Sequence, residues 1–243
     1  MSIPKNLAND TRITRVYIDM PNIVNSLCIE PKNILRTDPY YLDHYKPQTK
    51  GGDYLLRVEA DDIRKLFELY IDPIERAEIT VYTTPKFRQL NNYLIKLNEE
   101  YKKQEKEITI ALQETSTMAT FEKNGKEFTD YMDIDKDMES AMLDDAFEKN
   151  IPPNKYNRII VMSGDKYFVD VLDHYNAHIK IHIVCSMLGM HKNYRRFAQK
   201  RNALMRGDRP SNGELNVMYH GFFASDLMSQ ERLDRYYQRS QAP

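Results

Sequence analysis

Three carboxylate-bearing stretches are placed where side chains could do chemistry. Asp19 closes the apolar run in "TRVYIDMPNIV", and Asp165 follows Ser163-Gly164 at the end of "RIIVMSGDKYFV". A third stretch, "DYMDIDKDMESAMLDDAFE" over residues 130–148, holds eight acids against the single Lys136. An acid after a strand usually serves as a helix cap or turn residue. Two such acids at equivalent strand ends, with a third acidic segment available, point further. Unit charges ~4 Å apart repel by about 4 kcal/mol at an effective dielectric of ~20, so converging carboxylates need a proton or a cation. Oxygen donors without histidine or cysteine favour hard ions such as Mg²⁺ or Mn²⁺. The chemistry such ions support is activation of water and stabilisation of charge on phosphate.

The elements that must position these acids alternate along the chain. Five short apolar runs read as strands: 14–19, 78–84, 107–112, 158–163 and 179–185. Between them, 60–71 and 86–104 repeat apolar residues at i, i+3, i+4 and i+7, and 140–150 and 166–176 read as further helices. Strands separated by helices imply parallel crossovers and a sheet covered on both faces. The expectation is a three-layer α/β/α domain over residues 12–186 with a mostly parallel five-stranded sheet. In open sheets of this kind the ligand crevice lies at the carboxyl ends of the strands, where Asp19 and Asp165 fall. Residues 28–57, with three prolines and four tyrosines, read as an insertion or binding loop. Residues 187–243 read as a basic, helical C-terminal extension packed on the domain.

These residues resemble the NYN branch of PIN-like metal-dependent nucleases. The family's strand-end "ID-x-x-N" is matched by "IDMPN", with Asp19 and Asn22. Its middle motif, K-x-V-D-x-x-L-x-x-D, is followed by "KDMESAMLDD": Lys136, Met138, Glu139 in place of the first aspartate, Met142 and Asp145. Its last motif, "SGD-x-DF", is matched by "SGDKYF", where Tyr167 replaces the second aspartate. The resemblance implies a nuclease, endonucleolytic and acting on RNA rather than DNA. Asp19, Glu139, Asp145 and Asp165 would hold Mg²⁺ or Mn²⁺, with Asn22 orienting Asp19 or touching substrate. On an ideal helix, positions 139 and 145 lie about 120° apart, so they converge only if Glu139 sits at a non-helical entry. Asp137 and Asp144, seven apart on one face, form the competing register. Tyr167 and Glu139 motivate the alternative of a weak or inactive PIN-like protein that binds RNA or serves as a scaffold.

Net charge is −1, which by itself gives no sign of nucleic acid. The distribution differs: "HKNYRRFAQKRNALMR" (191–206) has no acid and interleaves Tyr194 and Phe197 with basic residues. Arg195, Arg196, Lys200 and Arg201 are the candidate phosphate contacts, with the aromatics available to stack on bases. A solvated amphipathic helix is the plainer reading of the same block. The closing helix, "ERLDRYYQRS", offers a surface to a second copy or a protein partner. His174, His178 and His182 straddle a helix, a turn and a strand, and do not form a metal site. Cys28 and Cys185 read as buried thiols. No run approaches the ~18 apolar residues of a membrane span, and the opening "MSIPKNLANDTR" has no signal-like core, so a cytoplasmic setting is expected.

Overall fold

The computed structural model describes residues 13–26, 58–123, 126–131, 134–147, 155–176, 178–186, 192–207 and 216–239. The insertion expected at 28–57, and Cys28 with it, lies outside the described residues. The strands are β1 (Ile13–Asp19), β2 (Arg76–Thr83), β3 (Glu107–Glu114), β4 (Met118–Lys123), β5 (Lys126–Tyr131), β6 (Tyr156–Met162), β7 (Lys180–Ser186) and β8 (Val217–Phe222). The helices are α1 (Met20–Ser26), α2 (Ala60–Tyr70), α3 (Arg88–Lys103), α4 (Asp135–Ala146), α5 (Phe168–Leu172), α6 (Lys192–Gly207), α7 (Ala224–Leu227) and α8 (Gln230–Arg239).

Six strands form one sheet in the order β3-β2-β1-β6-β7-β8, and every neighbouring pair is parallel. The expected α/β class is therefore present, with one strand more than anticipated. β8 pairs with β7 from Ile181↔Val217 to Ser186↔Phe222, so the sheet continues past residue 186 into the segment expected to be helical. β4 and β5 form a separate antiparallel ribbon between β3 and α4. That ribbon was unforeseen, because its polar and apolar residues mix without a long apolar run.

Side chains alternate across the strands and build two cores. Val16 and Ile18 of β1, Ile160 and Met162 of β6, and Val184 of β7 pack against α1, α2, α3, α7 and α8. Tyr17, Ile159, Val161, Ile181 and Ile183 face the opposite way and are covered by α4, α5 and α6. Helix α2 also receives the C-terminal helix: Arg232 Nη1 donates to the buried Asp62 carboxylate at 2.6 Å, and its Nη2 lies 3.6 Å from Glu59. On the same side of the sheet, His182 is buried, with Nδ1 2.9 Å from His220 Nε2 across β7 and β8. The two rings are within 2° of parallel. Burial, then Arg158, His220 and Lys180, pull the His182 pKa down to about 3, so the ring is neutral.

Candidate active site

Strand order runs outward in both directions from the β1/β6 pair: β2 and β3 lie on one side, β7 and β8 on the other. That reversal opens a crevice at the carboxyl ends of the two central strands, the usual ligand position in such sheets. Both strand-end acids are there. Asp19 is the last residue of β1 and is buried to 2% exposure. Its Oδ1 accepts the Asn22 backbone N–H at 3.0 Å, which starts α1, and its Oδ2 accepts the Ser163 hydroxyl at 2.9 Å.

Ser163 joins the two acids. Its Oγ also accepts the Asp165 N–H at 3.1 Å, so one hydroxyl fixes Asp19 and the backbone that presents Asp165. The Asn22 side-chain carbonyl accepts the Gly164 N–H at 2.8 Å, a second tie between the ends of β1 and β6. Asp165 Oδ1 in turn accepts the Tyr167 N–H at 3.1 Å, holding the turn that leads into α5. Asn22, expected to orient Asp19 or touch substrate, bonds Asp19 through its backbone N–H and Gly164 through its side chain. Tyr167 is 55% exposed beside Asp165, an aromatic surface at the lip of the crevice.

The middle motif behaves differently. α4 is helical from Asp135, so Glu139 lies within the helix and not at a non-helical entry. The condition for Glu139 and Asp145 to converge is therefore not met. Met138, Met142 and the preceding Ile134 form the buried stripe of this helix. Asp145, in its last turn, accepts from Arg15 Nε at 2.8 Å and from the Tyr17 hydroxyl. Arg15 precedes Asp19 by four strand residues, a rise of about 13 Å. Asp145 belongs to a structural network and does not join Asp19. Arg15 also donates to Thr80 Oγ1 at 2.8 Å, and the Tyr17 hydroxyl lies 3.2 Å from that of Tyr175. Burial alone would pull the Arg15 pKa down, but Tyr17 and Asp145 push it above its ordinary value.

Because the end of α4 meets Arg15, its first turn points toward the carboxyl ends of the strands. Asp135, about 15 Å up the helix from Asp145, is the acid that this geometry brings to the crevice. The electrostatics of Tyr194 agree. This tyrosine, in the first turn of α6, is fully buried, and its pKa is pushed up by burial, then by Cys185, Asp165, Asp19 and Asp135. Three acids from three separate segments thus lie within electrostatic range of one tyrosine. Asp135 was missed because the motif alignment favours 139 and 145; only the direction of the helix relative to β1 selects it.

The basic block also divides. Tyr194, Phe197, Ala198 and Arg201 form the buried face of α6, so neither aromatic is offered to a base. Arg201, expected to contact phosphate, is 7% exposed and donates to the carbonyls of Leu172, Tyr175 and Asn176 at 2.7–2.9 Å, closing the end of α5. Arg196 and Lys200 are exposed and Arg195 half-buried; Lys200 Nζ lies 3.2 Å from Asp173.

The oxygen-only donors of Asp19, Asp165 and Asp135 suit a hard divalent ion. Among the described residues, no group of three His, Cys, Asp or Glu is gathered tightly enough to cage an ion with protein atoms alone. Mg²⁺ does not require such a cage, since it is commonly held through one or two carboxylates, water and substrate phosphate. No helix among the described residues is long and apolar enough to cross a membrane. No protein-family model, curated protein or solved structure matches the chain.

Proposed function

We propose that the protein is a Mg²⁺- or Mn²⁺-dependent nuclease that cleaves phosphodiesters in RNA, favouring internal bonds. The observation that carries this reading is the Ser163 hydroxyl, which couples the Asp19 carboxylate to the backbone of Asp165 at the crevice between the central strands. Asp19 and Asp165 would hold the ion, with Asp135 nearby. When bound, the ion supplies charge neutralisation at the phosphate and a more acidic water. The chain itself does the positioning. Asn22 and Ser163 occupy one lone pair on each Asp19 oxygen and leave the carboxylate in a fixed orientation. Arg195, Arg196 and Lys200, entering from α6, would engage the sugar-phosphate backbone, and the exposed Tyr167 ring would stack on an unpaired base. The free, buried Cys185 fits a reducing, cytoplasmic setting.

Cleavage of labelled single-stranded RNA, DNA and duplex in Mn²⁺ tests the proposal. Asp19→Asn and Asp165→Asn are expected to lose more than about a hundredfold in rate while remaining folded. Cleavage at the wild-type rate by both purified variants would refute it. Salt-sensitive RNA binding without metal-dependent cleavage by the wild type would instead support a non-catalytic RNA-binding or scaffold protein. Tyr167, standing where the family has a second aspartate, is the observation that favours this alternative.

A further inference from the structure

Thr84 brings a buried hydroxyl to the β2 side of the crevice. The residue is 6% exposed, and its Oγ1 has no hydrogen-bond partner among the described residues. A valine would fill the same volume without stranding a donor, and interiors rarely leave one unpaired. Its direction follows from the strand register. Asp19 pairs with Tyr82 in parallel strands, so both side chains leave the same face, and Tyr82 packs in the core covered by α4, α5 and α6. Thr84 continues the extended backbone, with φ −133° and ψ 163°, and two residues on it returns to that face. Two strand residues along and one strand across put its backbone about 8 Å from that of Asp19.

The same residue opens a helix. A 3₁₀ turn, Pro85–Phe87, leads from Thr84 into α3, whose N-terminus therefore stands at the carboxyl edge of the sheet. Helix N-termini favour negative charge, yet neither first turn contains an acid; Lys86 and Arg88 are exposed there instead. The Thr84 side chain does not cap the turn. Its carbonyl is fixed by the Phe87 N–H at 3.1 Å and by Asn91 Nδ2 at 3.2 Å. Asn91 is held in turn by the Thr83 hydroxyl and by Glu114, which pairs with Thr83 and so faces away from Thr84. The backbone is anchored on one face while the hydroxyl is turned to the other. A buried hydroxyl, a helix N-terminus and a cationic first turn together suit an anion with oxygen acceptors.

We propose that the Thr84 hydroxyl, the N-terminus of α3 and Arg88 bind a phosphate group of the nucleic-acid strand, next to the one addressed by Asp19 and Asp165. This rests on the nuclease reading above and deepens it by giving the strand a second anchor, on the opposite side of β1 from α6. A separation of about 8 Å is too wide for one phosphate oxygen to meet both Thr84 and Asp19. The subsite therefore sets the register of the strand and takes no part in the bond that breaks.

The test measures binding of labelled single-stranded RNA by fluorescence anisotropy in chelator, where no metal-dependent cleavage occurs. Thr84→Val is expected to weaken binding about tenfold, and Thr84→Ser to keep wild-type affinity. The melting temperature of Thr84→Val should hold or rise, because a hydroxyl without a partner has been removed. Arg88→Ala should lower the log–log salt slope by about 0.7. Wild-type affinity in Thr84→Val overturns the subsite, and so does an equal loss in Thr84→Ser and Thr84→Val. Absence of RNA binding by the wild type in chelator overturns it too, whereas the nuclease reading stands or falls on cleavage. Calorimetry with inorganic phosphate separates the two sources of the anion. Binding of phosphate that Thr84→Val abolishes, with RNA affinity unchanged, would assign the subsite to a free phosphate and overturn its role on the strand. Should Thr84→Val not fold, Thr84→Ala takes its place with the same expected loss.

Discussion

The two ends of α4 show how the same residue type serves opposite purposes. At the last turn, Asp145 faces the Arg15 guanidinium and the Tyr17 hydroxyl, within a network that also holds Thr80 and Tyr175. At the first turn, Asp135 shares the surroundings of Tyr194 with Asp19 and Asp165. The first arrangement balances a part-buried charge with its counter-charge. The second brings three acids near one buried tyrosine, whose hydroxyl has no hydrogen-bond partner among the described residues. An acidic segment read from sequence contains both and does not distinguish them; the direction of the helix against β1 does.

The sharpest way to break this comparison is to neutralise Asp145. Asp145→Asn leaves Arg15, 13% exposed, without its counter-ion. Breaking a buried pair costs about 3–5 kcal/mol. The loss should fall toward the lower end, since Arg15 keeps Thr80 Oγ1 and the Glu78 carbonyl. Urea unfolding should show that loss, while Mn²⁺ affinity of the folded fraction stays at the wild-type value. A variant of wild-type stability with weakened metal binding would reverse the assignment of the two ends.

A smaller effect probes the same principle on the opposite face of the sheet, where His182 is kept neutral. Its pKa in the folded protein, about 3, is below the ordinary 6.5. The unfolded chain therefore takes up the proton first. The contribution to stability is complete above about pH 6.5 and declines as pH falls toward 3, by up to about 1.4 kcal/mol per pH unit. Unfolding midpoints at pH 7, 6 and 5 should fall more steeply for the wild type than for His182→Gln. Parallel curves would show that the ring is not the titrating group.

The smallest expected change separates the basic residues of α6. Arg196→Ala should leave stability unchanged and reduce the salt dependence of single-stranded RNA binding by about 0.7 in log–log slope, one phosphate contact. Arg201→Ala should instead destabilise by about 1–3 kcal/mol, because three carbonyls lose their donor. Equal effects of the two on salt dependence would place Arg201 on the binding surface after all.

Much of the fold was legible because strands buried on both faces appear as continuous apolar runs: 158–163 and 179–185 fall on β6 and β7 almost residue for residue. β8 was hidden, since "VMYHGF" is an edge strand with exposed Tyr219 and half-buried His220 inside a polar neighbourhood. The strand-end acids were legible from position alone. Asp135, Tyr194 and the burial of Arg201 were not. Each depends on how a helix lies against the sheet, and a linear pattern of charges carries no such direction.

Asp19 and Asp165 meet only because β6 pairs with β1 across a long intervening stretch of chain. Translation delivers about 5–20 residues per second, so the 146 positions separating the two acids take roughly 7–30 s to appear. Through that interval the emerging polypeptide can close β1, β2 and β3, yet it has no second wall for the crevice. Whatever chemistry the paired carboxylates support is withheld from the ribosome-bound chain until the second half of the sheet zips onto the first.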